Sequence, residues 1–224
     1  MGQTPEQPPP DTELPNHPVK SQPKLPSERP PPDQREPTQR SSKLATELRA
    51  RASGQWAVVR DECGIVCANT TKNGFQTTLN LFDRPTGLFA DLDQVIKHRI
   101  ENYRRKFSSE DCTFIRLLPK NIYLFGWFVC FLKGGHQTEH IHSSGWLSGV
   151  FYLQVPNFSN QKEGSIEFGL WGYDYPKLNR NYPKKRLYPK SEDIILFPSS
   201  LFHKTIPFSS NEERMCIAFD VLPT

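Results

Sequence analysis

The run "GGHQTEHIHSSGWLSGVFYLQVP", residues 134–156, places three histidines within seven residues, followed by an apolar stretch with the composition of a β-strand. Side chains two residues apart in an extended strand share a face, so we expect His140 and His142 to project together. Two imidazole nitrogens at a strand end can bind one metal ion. The pair alone is equally consistent with two exposed polar residues in a loop.

Similar strand-like segments lie on both sides of this run. They are rich in β-branched and aromatic residues and are separated by Gly, Pro, Asn and Ser. The segments are 113–118, 121–132, 146–155, 164–170, 193–198, 201–208 and 215–222. Short strands with frequent turn signals predict an antiparallel barrel or jelly roll.

The segment before these strands has a helical pattern. Residues 91–107, "DLDQVIKHRIENYRRKF", carry apolar side chains at helical spacing, an acidic start and a basic end. A shorter helix is predicted over 42–51, limited by Gly54. His98, on the longer helix, is interpreted as an ordinary surface histidine. The predicted fold class is therefore mainly β, with a bracing helix.

Composition divides the chain into a tail and one domain. The first 40 residues contain 12 of the 21 prolines and few hydrophobic side chains, too few to offset the entropy of ordering. We predict a disordered Pro-rich tail over 1–42 and a folded domain over 43–224, with the barrel core at about 112–224. The tail is interpreted as a solvated leader, with docking to a polyproline-reading partner as the alternative.

Charge, hydropathy and cysteine content indicate the compartment. The net charge is only +4, and the sequence contains neither a membrane-spanning apolar run nor the plan of a signal peptide. Five cysteines without a CxxC pair agree with a reducing environment and argue against a cysteine-only zinc site. We expect a soluble, intracellular protein, in the cytoplasm.

Two residues near the C-terminus strengthen the metal-site interpretation. His203 is surrounded by apolar residues on a predicted strand, where a histidine is more often a satisfied core residue than a ligand. Arg214 begins the next predicted strand, "RMCIAFDV". A guanidinium in such a place is costly unless it meets an anion, and its planar fork suits a carboxylate. A histidine pair, a distant histidine and an arginine together are more specific than any one of them.

The order "HIHSSGWLSGVFYLQVP", "GSIEFG", "LFPSSLFHKTIPF", "ERMCIAFDV" resembles the 2-oxoglutarate and iron(II)-dependent oxygenases, in particular a group often found beside tetratricopeptide repeats. The resemblance runs from about residue 55 to the C-terminus. It implies a double-stranded β-helix, a jelly-roll or cupin-like barrel, that binds iron(II) and uses 2-oxoglutarate as co-substrate. His140 and His203 match metal ligands of the family. Arg214 and Tyr152 match residues that hold the far carboxylate of 2-oxoglutarate.

One departure from the superfamily pattern concerns the third ligand. The usual motif is HxD, but position 142 is histidine. His142 can be the third ligand of an all-histidine site, water can take that place beside His140 and His203, or the metal can be absent. We favour His142 as ligand because strand parity places it beside His140. His136 shares this parity but lies nearer the glycines, and we interpret it as a loop or supporting residue.

Other residues are assigned by strand parity. Thr205 shares a barrel face with His203, where its hydroxyl can contact the co-substrate, although a satisfied buried threonine is the commoner case. Ser148 alternates with Tyr152 and is expected to face inward as well. The loop 172–190 combines basic residues and tyrosines, and its part 177–190 is a candidate nucleic-acid contact, against the more common interpretation as a solvated loop.

Two function hypotheses follow. The first is an oxygenase that hydroxylates a small-molecule or protein substrate while 2-oxoglutarate is decarboxylated to succinate. The second is a catalytically silent or metal-binding barrel that acts as a binding module through its basic loop and Pro-rich tail. The joint presence of His203 and Arg214 favours the enzyme, since a silent barrel could lose either. The sequence indicates neither the substrate nor the oligomeric state.

Overall fold

The computed structural model describes residues 32–35, 38–62, 70–158, 160, 162–173, 175–176 and 181–224, with backbone only for 35 and 51–62. In these residues, three helices precede or interrupt the sheets. The helices are α1 (Gln39–Glu62), α2 (Leu88–Lys106) and α3 (Thr113–Arg116). On α2, Leu92, Ile96 and Ile100 are buried at the spacing of one helix face, as the sequence predicts. None of the helices in the described part of the chain is both long and apolar enough to cross a bilayer.

The strands form two antiparallel sheets. They are β1 (Asp33–Arg35), β2 (Thr71–Gln76), β3 (Ile122–Gln137), β4 (Leu147–Gln154), β5 (Ile166–Gly169), β6 (Lys184–Leu187), β7 (Ile194–Pro198), β8 (Phe202–Thr205) and β9 (Arg214–Pro223). The larger sheet has the order β1-β7-β4-β9-β3-β2, and the smaller sheet has the order β6-β5-β8. The structure is thus mainly β, as predicted.

Strand β9 shows how the sequence separates the two faces of the larger sheet. Met215, Ile217 and Phe219 belong to an apolar cluster shared with helices α1 and α2. Cys216 and Ala218, which alternate with them, belong to a second cluster shared with the smaller sheet. Because successive side chains of a strand point to opposite faces, one face of the sheet packs on the helices and the other faces the barrel interior.

The structure corrects two local predictions. Residues 113–118 do not form a strand, because α3 occupies Thr113–Arg116. The buried residues there are Cys112, Ile115 and Leu118, three positions apart, which is the spacing of a helical turn and not of a strand. The predicted helix over 42–51 is part of the longer α1, which continues through Gly54. One glycine costs a helix about 1 kcal/mol, too little to end it.

Two further elements lie where no regular structure was predicted. Strand β1 and the start of α1 fall inside the segment 1–42, and β1 pairs with β7. Strand β6 falls inside the loop 172–190 and pairs with β5. Residues 1–31 of the predicted tail lie outside the described residues.

Candidate metal centre

Three histidines meet where the two sheets approach each other. His140 follows β3 and forms a backbone bridge with His203 on β8, with N–H to O distances of 3.0 and 2.9 Å. The amide of His142 donates to the carbonyl of Ser199 at 3.0 Å. These bonds bring one ligand nitrogen of each imidazole to within 4.8 Å of the other two. His140 and His142 project together as predicted, although they lie beyond the end of β3 and not within a strand.

Hydrogen bonds on the outer side of each ring fix the tautomer. Nδ1 of His140 lies 2.7 Å from the Thr138 carbonyl, and Nδ1 of His203 lies 3.0 Å from the Leu201 carbonyl. A carbonyl only accepts, so both Nδ1 atoms carry hydrogen, and each neutral ring directs an unprotonated Nε2 toward the centre. The Nε2 atoms of His140 and His142 are 3.2 Å apart. Nitrogens bound at about 2.1 Å to one metal are about 3.0–3.4 Å apart, so this spacing fits a shared ion.

Burial keeps two of these rings uncharged. Burial, followed by the neighbouring His142, lowers the pKa of His140 to about 4. Burial and the two other imidazoles hold the pKa of His203 well below its usual value. Both rings are therefore neutral near pH 7, which is the state that binds a metal ion.

A carboxylate that the sequence analysis did not identify lies behind the third histidine. Oδ1 of Asp220 accepts a hydrogen bond from Nδ1 of His142 at 2.6 Å. The hydroxyl of Ser148 donates to the same oxygen, also at 2.6 Å. Asp220 lies on β9 six residues after Arg214. Their shared parity on that strand was the signal that could have revealed it.

Arg214 lies at the other end of the same barrel face. Its side chain is 2% exposed, and its Cζ lies 4.9 Å from the ring centroid of Tyr152 and 5.6 Å from that of Phe131. Within the described part of the chain it forms no ion pair, and its Nε has no hydrogen-bond partner. Burial raises the pKa of the Tyr152 hydroxyl, which therefore stays protonated. A buried cation without a carboxylate partner is costly, and an anion bound beside it would lower that cost.

Two cavities reach the histidines. The inner cavity, about 20 Å³, extends from His203 and His142 to Arg214, Tyr152 and Thr205. The outer cavity, about 650 Å³, opens from His140 and His142 along a wall of Tyr123, Phe125 and Trp127. Trp127 and Gln137 line both cavities. The predicted site residues thus all border one connected region.

The remaining candidates lie elsewhere or have other partners. His136 is in β3, where its Nδ1 donates to the Gly134 carbonyl at 3.0 Å and takes no part in the histidine group. His98 is exposed on α2, as predicted. In the basic loop, Lys184 and Arg186 bind the carboxylate of Glu167. Its residues 177–180 lie outside the described part, and nucleic-acid binding there stays a prediction.

The part of the chain that contains the three histidines and Arg214 is similar to a known protein family. Residues 126–220 match a family model described as "Putative 2OG-Fe(II) oxygenase". A search of the curated protein sequences found no match. The match confirms the predicted resemblance to this family, whose name includes both predicted cofactors, iron(II) and 2-oxoglutarate. The association with tetratricopeptide repeats stays a prediction.

Solved structures share the fold. A Pseudomonas putida prolyl-4-hydroxylase aligns with a TM-score of 0.54 at 13% identity, over 86% of this chain and 92% of that one. HygX from Streptomyces hygroscopicus, solved with nickel, 2-oxoglutarate and hygromycin B, aligns with a TM-score of 0.51 at 15% identity, over 82% and 79%. A Trichoplax adhaerens prolyl hydroxylase, solved with a hypoxia inducible factor peptide, aligns at 0.50 and 15%, over 80% and 78%.

At these identities the likeness concerns the fold alone, and it confirms the predicted double-stranded β-helix. The family match begins within β3 and ends within β9, and it includes the three histidines and Arg214. Through residues 126–220 the chain is therefore similar to the 2OG-Fe(II) oxygenases, the family that its sequence motifs resemble.

Proposed function

We propose that this protein is an oxygenase that hydroxylates a substrate bound in the outer cavity, using iron(II) and 2-oxoglutarate. The observation that carries the proposal is the inner cavity, which runs from His142 and His203 of the histidine group to a buried Arg214 without a carboxylate partner among the described residues. A metal ligand set and an anion receptor on one barrel face match a ligand that chelates a metal and carries a distant carboxylate.

His140, His142 and His203 would hold the metal through their Nε2 atoms. Iron(II) supplies the oxidative chemistry, in which dioxygen is consumed, 2-oxoglutarate becomes succinate and carbon dioxide, and one oxygen atom enters a substrate C–H bond. The backbone bridge between His140 and His203 fixes the spacing of two ligands, since neither residue can shift without breaking it. A pre-formed ligand set of this kind lowers the cost of binding the ion.

Arg214, Tyr152 and Thr205 would hold the far carboxylate of 2-oxoglutarate. The guanidinium supplies the positive charge, and the two hydroxyls supply hydrogen-bond donors beside it. The inner cavity has room for about one water molecule, so the co-substrate needs side chains to move. Trp127 and Gln137 separate the inner from the outer cavity, and we expect their displacement to create that room.

The outer cavity would receive the hydroxylation substrate. Its described lining residues include four that can ionise, which are His140, His142, Asp220 and Tyr123. No lysine or arginine is among these described lining residues, so a strongly acidic substrate would lack a counter-charge there. Tyr123 and Phe125 are 46% and 38% exposed on one face of β3 and offer rings for packing. We expect a neutral or cationic substrate with an apolar group.

The test is succinate formation from 2-oxoglutarate by the iron-loaded protein under air. Wild type should form succinate, with turnover stimulated by the true substrate. His203→Ala should abolish both metal binding and turnover. Arg214→Met should keep metal binding but lose 2-oxoglutarate affinity, raising its KM at least 10-fold because a charged hydrogen-bonded pair is lost.

The matched control is His98→Ala, a histidine that is exposed on α2 and is not part of the histidine group. Iron binding is scored separately by metal analysis after anaerobic loading. A wild-type protein that binds no iron, or that binds iron but not 2-oxoglutarate, would contradict the proposal and leave the silent barrel as the better interpretation.

A further inference from the structure

We propose that Asp220 is a positioning residue for the metal centre: it orients His142 and supplies the negative charge that an all-histidine ligand set lacks. The inference rests on the proposed function, since it concerns the affinity of the same histidines for a divalent ion. It assigns a role to a residue that the superfamily motif does not include. Position 142 carries an imidazole in place of the usual carboxylate, and the carboxylate of Asp220 lies on the outer side of that imidazole.

The geometry of the contact is directional. Oδ1 of Asp220 accepts from Nδ1 of His142 at 2.6 Å, slightly shorter than the roughly 2.7–2.9 Å of charge-assisted N–H···O hydrogen bonds. The bond leaves a proton on Nδ1 and the lone pair on Nε2, the nitrogen that lies 3.2 Å from Nε2 of His140. A carboxylate bound to the outer nitrogen of a ligating imidazole fixes its orientation and raises its basicity.

The surroundings of Asp220 hold the carboxylate in this place. Ser148 lies opposite Asp220 in the pairing of β4 with β9, and its hydroxyl donates to Oδ1. The oxygen of Ser148 lies 2.8 Å from the hydroxyl of Ser199, whose carbonyl accepts from the His142 amide. One small network therefore fixes both the backbone and the ring of His142.

Among the described residues, Asp220 has no lysine or arginine partner that would explain its burial. Its side chain is 14% exposed, and among the described residues its only ionisable partner is His142. A largely buried carboxylate without a lysine or arginine is costly unless donors and a nearby positive charge compensate it. A divalent ion on the far side of the His142 ring would be that positive charge.

Asp220 is not itself placed as a ligand. Within the described part of the chain, the group whose ligand atoms lie within 4.8 Å of one another contains the three histidines and no carboxylate. Three neutral imidazoles leave a divalent ion with its full +2 charge. Asp220 brings the local sum to +1, as the usual carboxylate ligand would, but across the width of an imidazole ring.

The experiment compares wild type, Asp220→Asn and Ser148→Ala by titration of the metal-free proteins with cobalt(II), following the visible absorption of the bound ion. The amide of the asparagine variant can still accept a hydrogen bond but carries no charge. We expect Asp220→Asn to weaken cobalt(II) binding about 10- to 100-fold and to shift the absorption bands, because the basicity of a ligand changes. Ser148→Ala, which leaves the charge in place, should weaken it less.

Asp93→Asn is the matched control. Asp93 lies on α2, pairs with Lys97 at 2.8 Å and is 15% exposed, nearly the same as Asp220, so it undergoes the same chemical change at similar burial. Metal-free melting temperatures separate a positioning role from a structural one. Asp220→Asn should melt within a few degrees of Asp93→Asn while differing from it in cobalt(II) affinity.

The outcomes distinguish this inference from the proposed function. Cobalt(II) affinity in Asp220→Asn within twofold of wild type overturns the positioning role and leaves the oxygenase proposal intact. If Asp220→Asn abolishes cobalt(II) binding while His142→Ala retains it, Asp220 is a ligand, and the positioning role is again overturned. Normal metal binding by wild type, weakened in Asp220→Asn, without succinate formation supports the inference and contradicts the oxygenase. Absence of cobalt(II) binding in wild type overturns both.

Discussion

His136 and His142 are both partly buried and lie six residues apart, but only His142 directs a nitrogen into the histidine group. His136 instead donates its Nδ1 hydrogen to the Gly134 carbonyl. We therefore expect His142→Ala to weaken cobalt(II) or iron(II) binding at least 10-fold, the loss of one inner ligand. His136→Ala should leave the dissociation constant within twofold of wild type. Calorimetric titration under anaerobic conditions measures both, and equal losses would contradict the assignment of His142.

At the residue scale, strand parity located most of the site. His140 and His142 project together because alternate side chains of an extended segment share a face, and a backbone bridge joins His140 to His203 on β8. Arg214 lies on the inner face of β9. Parity with Arg214 indicates the face on which Asp220 lies, but not its contact with His142, which is 78 positions away in the sequence. No local pattern encodes such a pairing.

At the element scale, one carboxylate connects the strands of the smaller sheet. Glu167 on β5 binds Lys184 and Arg186 on β6 and lies 3.5 Å from the Nζ of Lys204 on β8. Burial alone would raise the pKa of Glu167, but the hydrogen bonds from Arg186 and Lys184 outweigh it and lower the pKa to about 2. The ionised carboxylate is therefore favoured in the folded sheet.

This depressed pKa predicts a pH dependence of stability. The contribution of Glu167 is fully present above pH 4.5, the value for an unperturbed glutamate, and is lost as the pH falls toward 2. Glu167→Gln should cost about 1 kcal/mol of unfolding free energy at pH 7, and the gap to wild type should narrow below pH 4.5. Urea unfolding at a series of pH values measures it.

Glu110→Gln provides the control for that series, because Glu110 is exposed after α2. Its unfolding free energy should follow that of wild type at every pH. A constant gap between wild type and Glu167→Gln down to the lowest pH at which both stay folded would contradict the ionic role of Glu167.

The elements that the sequence did not reveal share a physical feature, which is a composition that differs from the usual one for their type. Strand β6, "KKRL", is an edge strand whose alternating apolar pattern is replaced by lysines, as is common where an edge must avoid other chains. Strand β1 has only three residues, all polar, and its pairing with β7 supplies the order. Helix α3, "TFIR", is rich in strand-forming residue types, and only its burial spacing distinguishes it from a strand.

At the scale of the whole molecule, the two apolar clusters differ in their contacts: one packs the helices on the larger sheet, and the other contacts the histidine group. Ile96 is fully buried between α2 and the larger sheet. Phe197 belongs to the interior cluster, and its ring centroid lies 4.7 Å from that of His203. We therefore expect the first cluster to contribute mainly to stability and the second, through Phe197, to hold the ring of His203 in place.

Substitutions in the two clusters should therefore differ in kind. Ile96→Ala should lower the free energy of unfolding by about 2–5 kcal/mol and leave cobalt(II) affinity unchanged at temperatures where the protein is folded. Phe197→Leu should cost less stability, about 1–2 kcal/mol, but weaken cobalt(II) binding because His203 loses the ring that confines it. Urea unfolding and cobalt(II) titration on each variant test the pair. Equal effects on metal affinity would contradict the division.

The barrel class could be predicted from the sequence because many short strands with turn signals admit few architectures. The attachment of the helices could not, since an amphipathic helix such as α2 shows that a face is buried but not against which sheet. The same holds for the smaller sheet, whose order β6-β5-β8 depends on pairings between distant segments.

Strand β9 also restricts how this chain can change in length. Arg214 and Asp220 lie on its inner face with an odd number of residues between them. An insertion or deletion of one residue between them would turn one of the two charges into the apolar layer under the helices. A two-residue insertion would keep both inside but separate them by roughly a further 6.6 Å. This strand can therefore vary by substitution, whereas a change in length between these two residues would alter the placement of the proposed anion receptor relative to the histidines.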